Sequence, residues 1–164
     1  MTPLQSRVLT ATIVGSGMAF ADGSIVTVAI PKMRVALDAS LAEMQWVANG
    51  YTLVLSAFLL LGGAAGDRYG LRRVYALGIA LFAMASLACA LSADSTALIL
   101  ARAAQGFGAA LMVPGSLALI AAHFPSDQRG RAIGVWAATT SIAAAFGPLV
   151  GGWLIDHAPG NRSS

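Results

Sequence analysis

Four stretches of this 164-residue chain, at 44–66, 74–93, 103–122 and 132–155, contain no Asp, Glu, Lys or Arg. Each supplies the roughly 20 residues that a helix needs to cross a 30 Å hydrocarbon core. A fifth, 8–31, is equally long and is interrupted by Asp22. The runs are continuous rather than alternating and are rich in Ala, Leu and Gly, which argues against membrane strands. Without water in the bilayer, each segment must satisfy its own backbone, and that leaves helices. Composition agrees: 57% of the residues are apolar and 10% charged, against about 25% charged in a soluble domain. A small soluble domain buries only about two-thirds of what its unfolded chain exposes, too little to hide this surface. The expected architecture is an all-α membrane protein with helices at about 8–31, 44–66, 74–94, 96–122 and 132–155. Membrane lipid is its first partner.

The net charge of +3 would suggest nucleic acid for a soluble protein. In a membrane protein it is read as basic cytoplasmic loops, with no nucleic-acid partner. With the N-terminus inside, Arg7, Arg68, Arg72, Arg73, Arg129 and Arg131 fall in the cytoplasm, and Lys32, Arg34 and Arg162 fall outside. That split follows the positive-inside rule and predicts a multi-pass plasma-membrane protein. Trp46, Trp136 and Trp153 fall near predicted helix ends, where indole sits at headgroup level. A signal-peptide reading of the first segment, with Ala19-Phe20-Ala21 as cleavage site, conflicts with the apolar run SIVTVAI that follows. The single Cys89 excludes an intrachain disulfide, and His123 and His157 stand beside no acidic cluster, so no metal site is expected. Ser, His and Asp form no nucleophile–base pattern, so no enzyme is expected.

Asp22 and Arg102 are the ionisable residues inside the apolar segments. At about 1.5 Å per residue, Asp22 lies roughly 21 Å from the inner boundary and Arg102 roughly 9 Å from the outer one, nearly the same depth. A lone charge there costs at least ~2.5 kcal/mol, so such residues normally face a bundle interior or a water-filled cavity. Arg102 has the alternative of snorkelling to the headgroups, and Asp22 that of a structural hydrogen bond. In the functional reading, Asp22 takes up and releases a proton: desolvation favours the neutral acid and a nearby Arg the carboxylate, so a small movement switches it. Gln105 shares Arg102's helix face.

Glycine and proline also punctuate the segments. The fifth helix carries Gly147, Pro148, Gly151 and Gly152, where Gly147 and Gly151 form a small-xxx-small pair for close helix approach and Pro148 provides a kink. Residues 62–74, GGAAGDRYGLRRV, are expected to form a short cytoplasmic loop, with Gly70 supplying permissive backbone angles and Asp67 pairing with Arg or with a helix N-terminus.

Together these segments resemble the major facilitator superfamily, and within it the drug:proton antiporter branch with fourteen helices. GGAAGDRYGLRR is similar to the superfamily's helix 2–3 signature, matching at Gly63, Asp67, Arg68, Gly70 and Arg72, with Arg73 following; Ala65 and Leu71 depart from it. ADGSIVTVAIP resembles the first-helix signature, whose acid falls on Asp22 and whose closing Pro falls on Pro31. LARAAQGFGAA is similar to the helix-four motif, matching at Arg102, Gln105, Gly106 and Gly108. FGPLVGGWL is similar to the helix-five antiporter motif, matching at Gly147, Pro148, Gly151 and Gly152. The resemblance implies alternating access between two six-helix halves and a proton gradient in place of any cofactor. It also implies a small-molecule substrate, hydrophobic or cationic, and a cytoplasmic gate around Asp67. By this comparison the chain covers helices 1–5 of the N-terminal half. It is expected to be an incomplete transporter half, lacking its C-terminal partner half and inactive alone. Two alternatives are an exporter of one specific metabolite and a five-helix membrane scaffold.

Overall fold

A computed structural model describes the chain over residues 1–157, with side-chain surroundings for 1–149 and Gly152. Among the described residues it is all helical: α1 (Pro3–Ala36), α2 (Leu41–Tyr69), α3 (Leu71–Ala90), α4 (Ser95–His123) and α5 (Ser126–His157). All five are long and apolar enough to cross a membrane. Polar residues set where α1, α2 and α4 begin. Thr2 and Gln5 cap α1 reciprocally, with Thr2 N–H donating to Gln5 Oε1 at 2.8 Å and Gln5 N–H to Thr2 Oγ1 at 3.2 Å. Ser40 and Glu43 repeat this box at α2, and Asp94 accepts from Ala97 N–H at 2.8 Å to open α4. Each cap satisfies backbone donors that the first turn leaves free. Ser95 also donates its hydroxyl to Glu43, which ties the start of α4 to the start of α2.

Several boundaries differ from the sequence reading. Pro31 does not close α1, which runs through it to Ala36. Pro31 costs one backbone bond, and the next turns still close, with Leu37 N–H reaching Met33 O at 2.9 Å. Helix α3 stops at Ala90 rather than near residue 94, because Asp94 is already the cap of α4. The expected loop at 62–74 is almost entirely helix. Gly63, Asp67 and Arg68 lie on the last turns of α2, Arg72 and Arg73 on the first turn of α3, and Gly70 alone makes the reversal. It does so at φ 96° and ψ 124°, with its N–H held by Gly66 O at 3.0 Å. A Cβ there would meet nothing within 4 Å, so the demand on this position comes from the backbone alone. Gly70→Ala is expected to cost about 1–3 kcal/mol, read as a lower thermal midpoint in detergent with unchanged helix content.

Helix α4 is the centre of the assembly. It packs along α2 on one side and α3 on the other and crosses α1, while α5 lies against α1. Close approach is possible because the contacts are small residues. Gly108 faces Gly78, where an added Cβ on Gly108 would come within 2.7 Å of Phe82 N. Gly106 lies against the carbonyl of Tyr51, and Gly62 against that of Ala110. Three apolar clusters fill the bundle. One joins Val26, Met44, Val47 and Leu98, a central one joins Tyr51, Tyr75, Phe82 and Met112, and one near the N-terminus joins Leu9, Ile120, Phe124 and Trp136. Trp136 therefore packs inside the bundle. Helix α5 begins at Ser126 instead of near residue 132, so Trp136 stands well away from the helix start, and only 9% of it is exposed. Trp153 and Arg162 lie outside the described surroundings. Much of the remaining surface is apolar: Leu60, Leu91 and Val35 are each more than 80% exposed, as expected for side chains that meet lipid rather than water.

Candidate functional site

The two intramembrane charges meet. Asp22 sits a little past the middle of α1, and Arg102 two turns into α4. Arg102 Nη1 donates to Asp22 Oδ2 in an ion pair, and the same nitrogen donates to Gln105 Oε1 at 2.7 Å. Gln105 lies three residues on, so both side chains leave α4 on one face. Its amide nitrogen donates to Asp22 Oδ1 at 3.1 Å and to Ser86 Oγ on α3 at 2.7 Å. Helix α2 closes the far side, with Arg102 Nε donating to Val47 O at 3.3 Å and the guanidinium lying 4.5 Å from the centre of the Tyr51 ring. Such stacking of a desolvated cation adds to the ion pair. Four helices therefore share one polar cluster inside the bundle.

Arg102 is almost fully enclosed and does not snorkel, whereas the Asp22 side chain keeps 23% of its surface open. The pair has a sealed cationic end and an accessible acidic end. Chemically, it is a carboxylate held by a guanidinium and by an amide. Tyr51, Ser86, Cys89 and the Val47 carbonyl were not assigned to this site from the sequence. Cys89 donates its thiol hydrogen to Gln105 Oε1 at 3.3 Å. Its spacing of three from Ser86 was the available signal, since both then lie on one face of α3.

A second buried polar group was also missed. Ser16 and Ser116 share a hydrogen bond at 2.7 Å between α1 and α4, and Tyr75 O–H donates to Ala11 O at 2.9 Å. These bonds join the helices about two to three turns from the Asp22 cluster, between it and the N-terminal end of α1.

The helix-five motif reaches the site indirectly. An added Cβ on Gly147 would come within 2.9 Å of Ala21 O and 3.0 Å of Ser24 Cβ, so α5 presses on the backbone beside Asp22. Pro148 lies within α5. Gly152 has nothing within 4 Å of an added Cβ, and the surroundings of Gly151 lie outside the described residues. The residues around Gly70 form a separate group at the other end of α2. Arg72 Nη2 donates to His123 Nε2 at 3.1 Å, while His123 Nδ1–H donates to Leu119 O at 2.8 Å and Gln5 Nε2 to His123 O at 3.3 Å. Asp67 is exposed and makes no ion pair or hydrogen bond among the described residues; the pairing with Arg or a helix N-terminus is not formed. Gly63 packs near Pro114 of α4, whose Cβ lies 3.9 Å from an added Cβ. Among the described residues, no three His, Cys, Asp or Glu side chains gather where a metal could bind.

A bundle of membrane-length helices that holds an ion pair in its interior is the kind of architecture a membrane transporter uses. The family model described as Major Facilitator Superfamily matches residues 12–163, and the chain belongs to that superfamily. Its similarity falls among drug-resistance members. It is 44% identical over 152 residues to a Methylenomycin A resistance protein of Bacillus subtilis, covering 92% of this chain and 33% of that protein. It is 40% identical over 158 residues to the Multidrug resistance protein Stp of Mycobacterium tuberculosis, covering 96% of this chain and 29% of that one. The chain thus spans about a third of the length of these relatives. The fold matches the crystal structure of a bacterial homolog of the human lysosomal transporter Spinster, inward-facing and unoccupied, with TM-score 0.83. There the identity is 22%, over 94% of this chain and 32% of that one.

Proposed function

We propose that this chain forms part of a proton-coupled antiporter that exports hydrophobic or cationic drugs across the plasma membrane by alternating access, with its N-terminus in the cytoplasm. The observation that carries this reading is the Asp22–Arg102 ion pair with Gln105 bonded to both partners. Protonating Asp22 from its open side removes the charge that holds Arg102. The guanidinium then keeps only Gln105, Val47 O and the Tyr51 ring, and α1 is held to α4 at this depth by the Gln105 amide alone. Because α5 rests on Ala21 and Ser24, movement of α1 there is passed to α5. That gives the proton a mechanical consequence between helices of one half, as an alternating-access cycle with a second half requires.

The reversal at Gly70, with exposed Asp67, Arg68 and Arg73, stands where a cytoplasmic gate would meet that second half. The name of the Stp relative supports many substrates for the export. The name of the Methylenomycin A relative favours a second reading, an exporter dedicated to one compound, and a panel of chemically unrelated toxic compounds tested for resistance separates the two.

The test of coupling is Asp22→Asn in the full-length protein, assayed in inside-out vesicles with a fluorescent cation. The carboxamide keeps the size and one acceptor oxygen but carries no charge and cannot cycle a proton. Expected is loss of gradient-driven uptake with retained dye binding. Uptake that still follows the pH gradient as in the parent protein removes Asp22 from coupling.

A further inference from the structure

Gln105 has no spare bonding position. It is 1% exposed, and both halves of its amide are doubly engaged. Nε2 donates to Asp22 Oδ1 at 3.1 Å and to Ser86 Oγ at 2.7 Å. Oε1 accepts from Arg102 Nη1 at 2.7 Å and from the Cys89 thiol at 3.3 Å. That uses the two donors and two lone pairs that a carboxamide has. Turned over, the amide would set N–H against the guanidinium and oxygen against the carboxylate, so the two charges choose its orientation while Asp22 is ionised. The choice weakens once Asp22 is protonated, because a carboxylic acid both donates and accepts. Of the two acceptors on Nε2, Ser86 is the one that does not titrate. Backbone packing also fixes its place. Phe82 lies one turn before Ser86 on α3, and Gly108 lies about one turn beyond Gln105 on α4. A Cβ on Gly108 would come within 2.7 Å of Phe82 N, so α3 and α4 touch there and keep Ser86 at a set distance from Gln105.

We propose that Ser86 is a positioning residue for proton coupling: from α3 it holds the Gln105 amide against Asp22, so that the tie to α1 persists when the carboxylate charge is gone. Its consequence for transport rests on the export reading above, whereas the hold on Gln105 stands on geometry alone. Ser86 acts through Gln105, which stands between it and Asp22. Its bond to Nε2 is shorter than the one from Nε2 to Asp22. The Cys89 thiol is a weak donor, so Ser86 is the stronger of the two holds that α3 has on Gln105. Without its hydroxyl, Nε2 keeps a buried N–H with no acceptor among the described residues, a costly state that the amide relieves by turning about its last bond. A protonated Asp22 then meets its partner only part of the time. The loss falls on turnover rather than on dye binding, because the open side of Asp22 is unchanged.

The experiment compares Ser86→Val with Ser86→Thr in the full-length protein, two side chains of similar volume of which only threonine keeps the hydroxyl. Infrared difference spectra between acid and neutral pH, taken in detergent, isolate the Asp22 carboxyl band as the one that Asp22→Asn abolishes. Ser86→Val is expected to move that band, and Ser86→Thr to leave it at the parent position. In inside-out vesicles, Ser86→Val should lower maximal gradient-driven dye uptake about fivefold, the rate equivalent of one ordinary buried hydrogen bond. KM for the dye should not change, and Ser86→Thr should restore the rate. Ser86→Ala, smaller than the parent residue, gives the same two readouts if Ser86→Val does not fold. A parent-like band without the hydroxyl, equal changes in the valine and threonine variants, parent uptake in Ser86→Val, or a loss confined to KM overturns the proposal. A parent spectrum with no band that depends on Asp22 overturns both this proposal and the export reading. Gradient-driven uptake that survives Asp22→Asn overturns the export reading instead, and the infrared comparison then decides the role of Ser86 by itself.

Discussion

Replacing Arg102 by Met in the full-length protein is expected to cost about 3–5 kcal/mol of stability, the usual result of removing one partner from a buried ion pair. The cost arises from what is left behind. Asp22 retains only the Gln105 amide, and Gln105 Oε1 loses its 2.7 Å donor and keeps only the weak Cys89 thiol. The Tyr51 ring loses its cation and the Val47 carbonyl loses the Nε donor. Methionine fills similar volume, so the loss is electrostatic rather than a cavity. The companion variant, Asp22→Asn/Arg102→Met, removes both charges and should recover most of the stability, because paired replacement of a buried ion pair by neutral groups is often neutral. It should not recover proton-driven export. Thermal unfolding in detergent and vesicle transport, measured on the same preparations, separate the two effects. Equal destabilisation in the single and double variants would show that packing, not charge, holds this region.

The second large effect is expected at Gly106. Its added Cβ would meet the Tyr51 carbonyl and approach Leu55 N at 3.2 Å, both of them backbone atoms of α2. No flexible side chain can yield there, so Gly106→Val must separate α2 from α4. Overpacking of this kind costs about 1–3 kcal/mol, occasionally more. The displacement also carries Tyr51 away from Arg102, so transport should fall further than the lowered melting temperature alone explains. Gly106→Ala gives a graded version of the same change. Wild-type melting behaviour in Gly106→Val would mean that α2 and α4 do not approach as closely as described.

Much of this was legible in one dimension. Charge-free runs of bilayer length state the number and kind of elements, because lipid leaves the backbone no alternative to internal hydrogen bonding. Counting 1.5 Å per residue along α1 and α4 puts Asp22 and Arg102 at one height, and the two side chains do meet. The helix ends were less legible. Pro31 is tolerated within α1, and the turn around Gly70 is far tighter than a thirteen-residue loop. A charge count locates where the apolar run ends, but capping and intrahelical bonds decide where the helix ends.

Trp136 shows the consequence of a misplaced end. Starting α5 too late put near a helix end an indole that stands well inside the helix and packs in the bundle. Gly62 and Gly78 were unmarked for a different reason: a glycine on one helix signals close approach only when the facing residue on the next is known. The same holds for Tyr51, Ser86 and Cys89, ordinary residues of apolar helices that belong to the polar cluster only because of how α2 and α3 are rotated about α4.

Hydrophobic length and the position of two charges therefore determined by sequence alone that the chain crosses lipid as helices and holds a polar point inside. Which faces turn toward that point was decided by tertiary packing. Rotation of a helix about its own axis leaves its apolar length unchanged, and only backbone-to-backbone contact at residues such as Gly106 and Gly108 locks it.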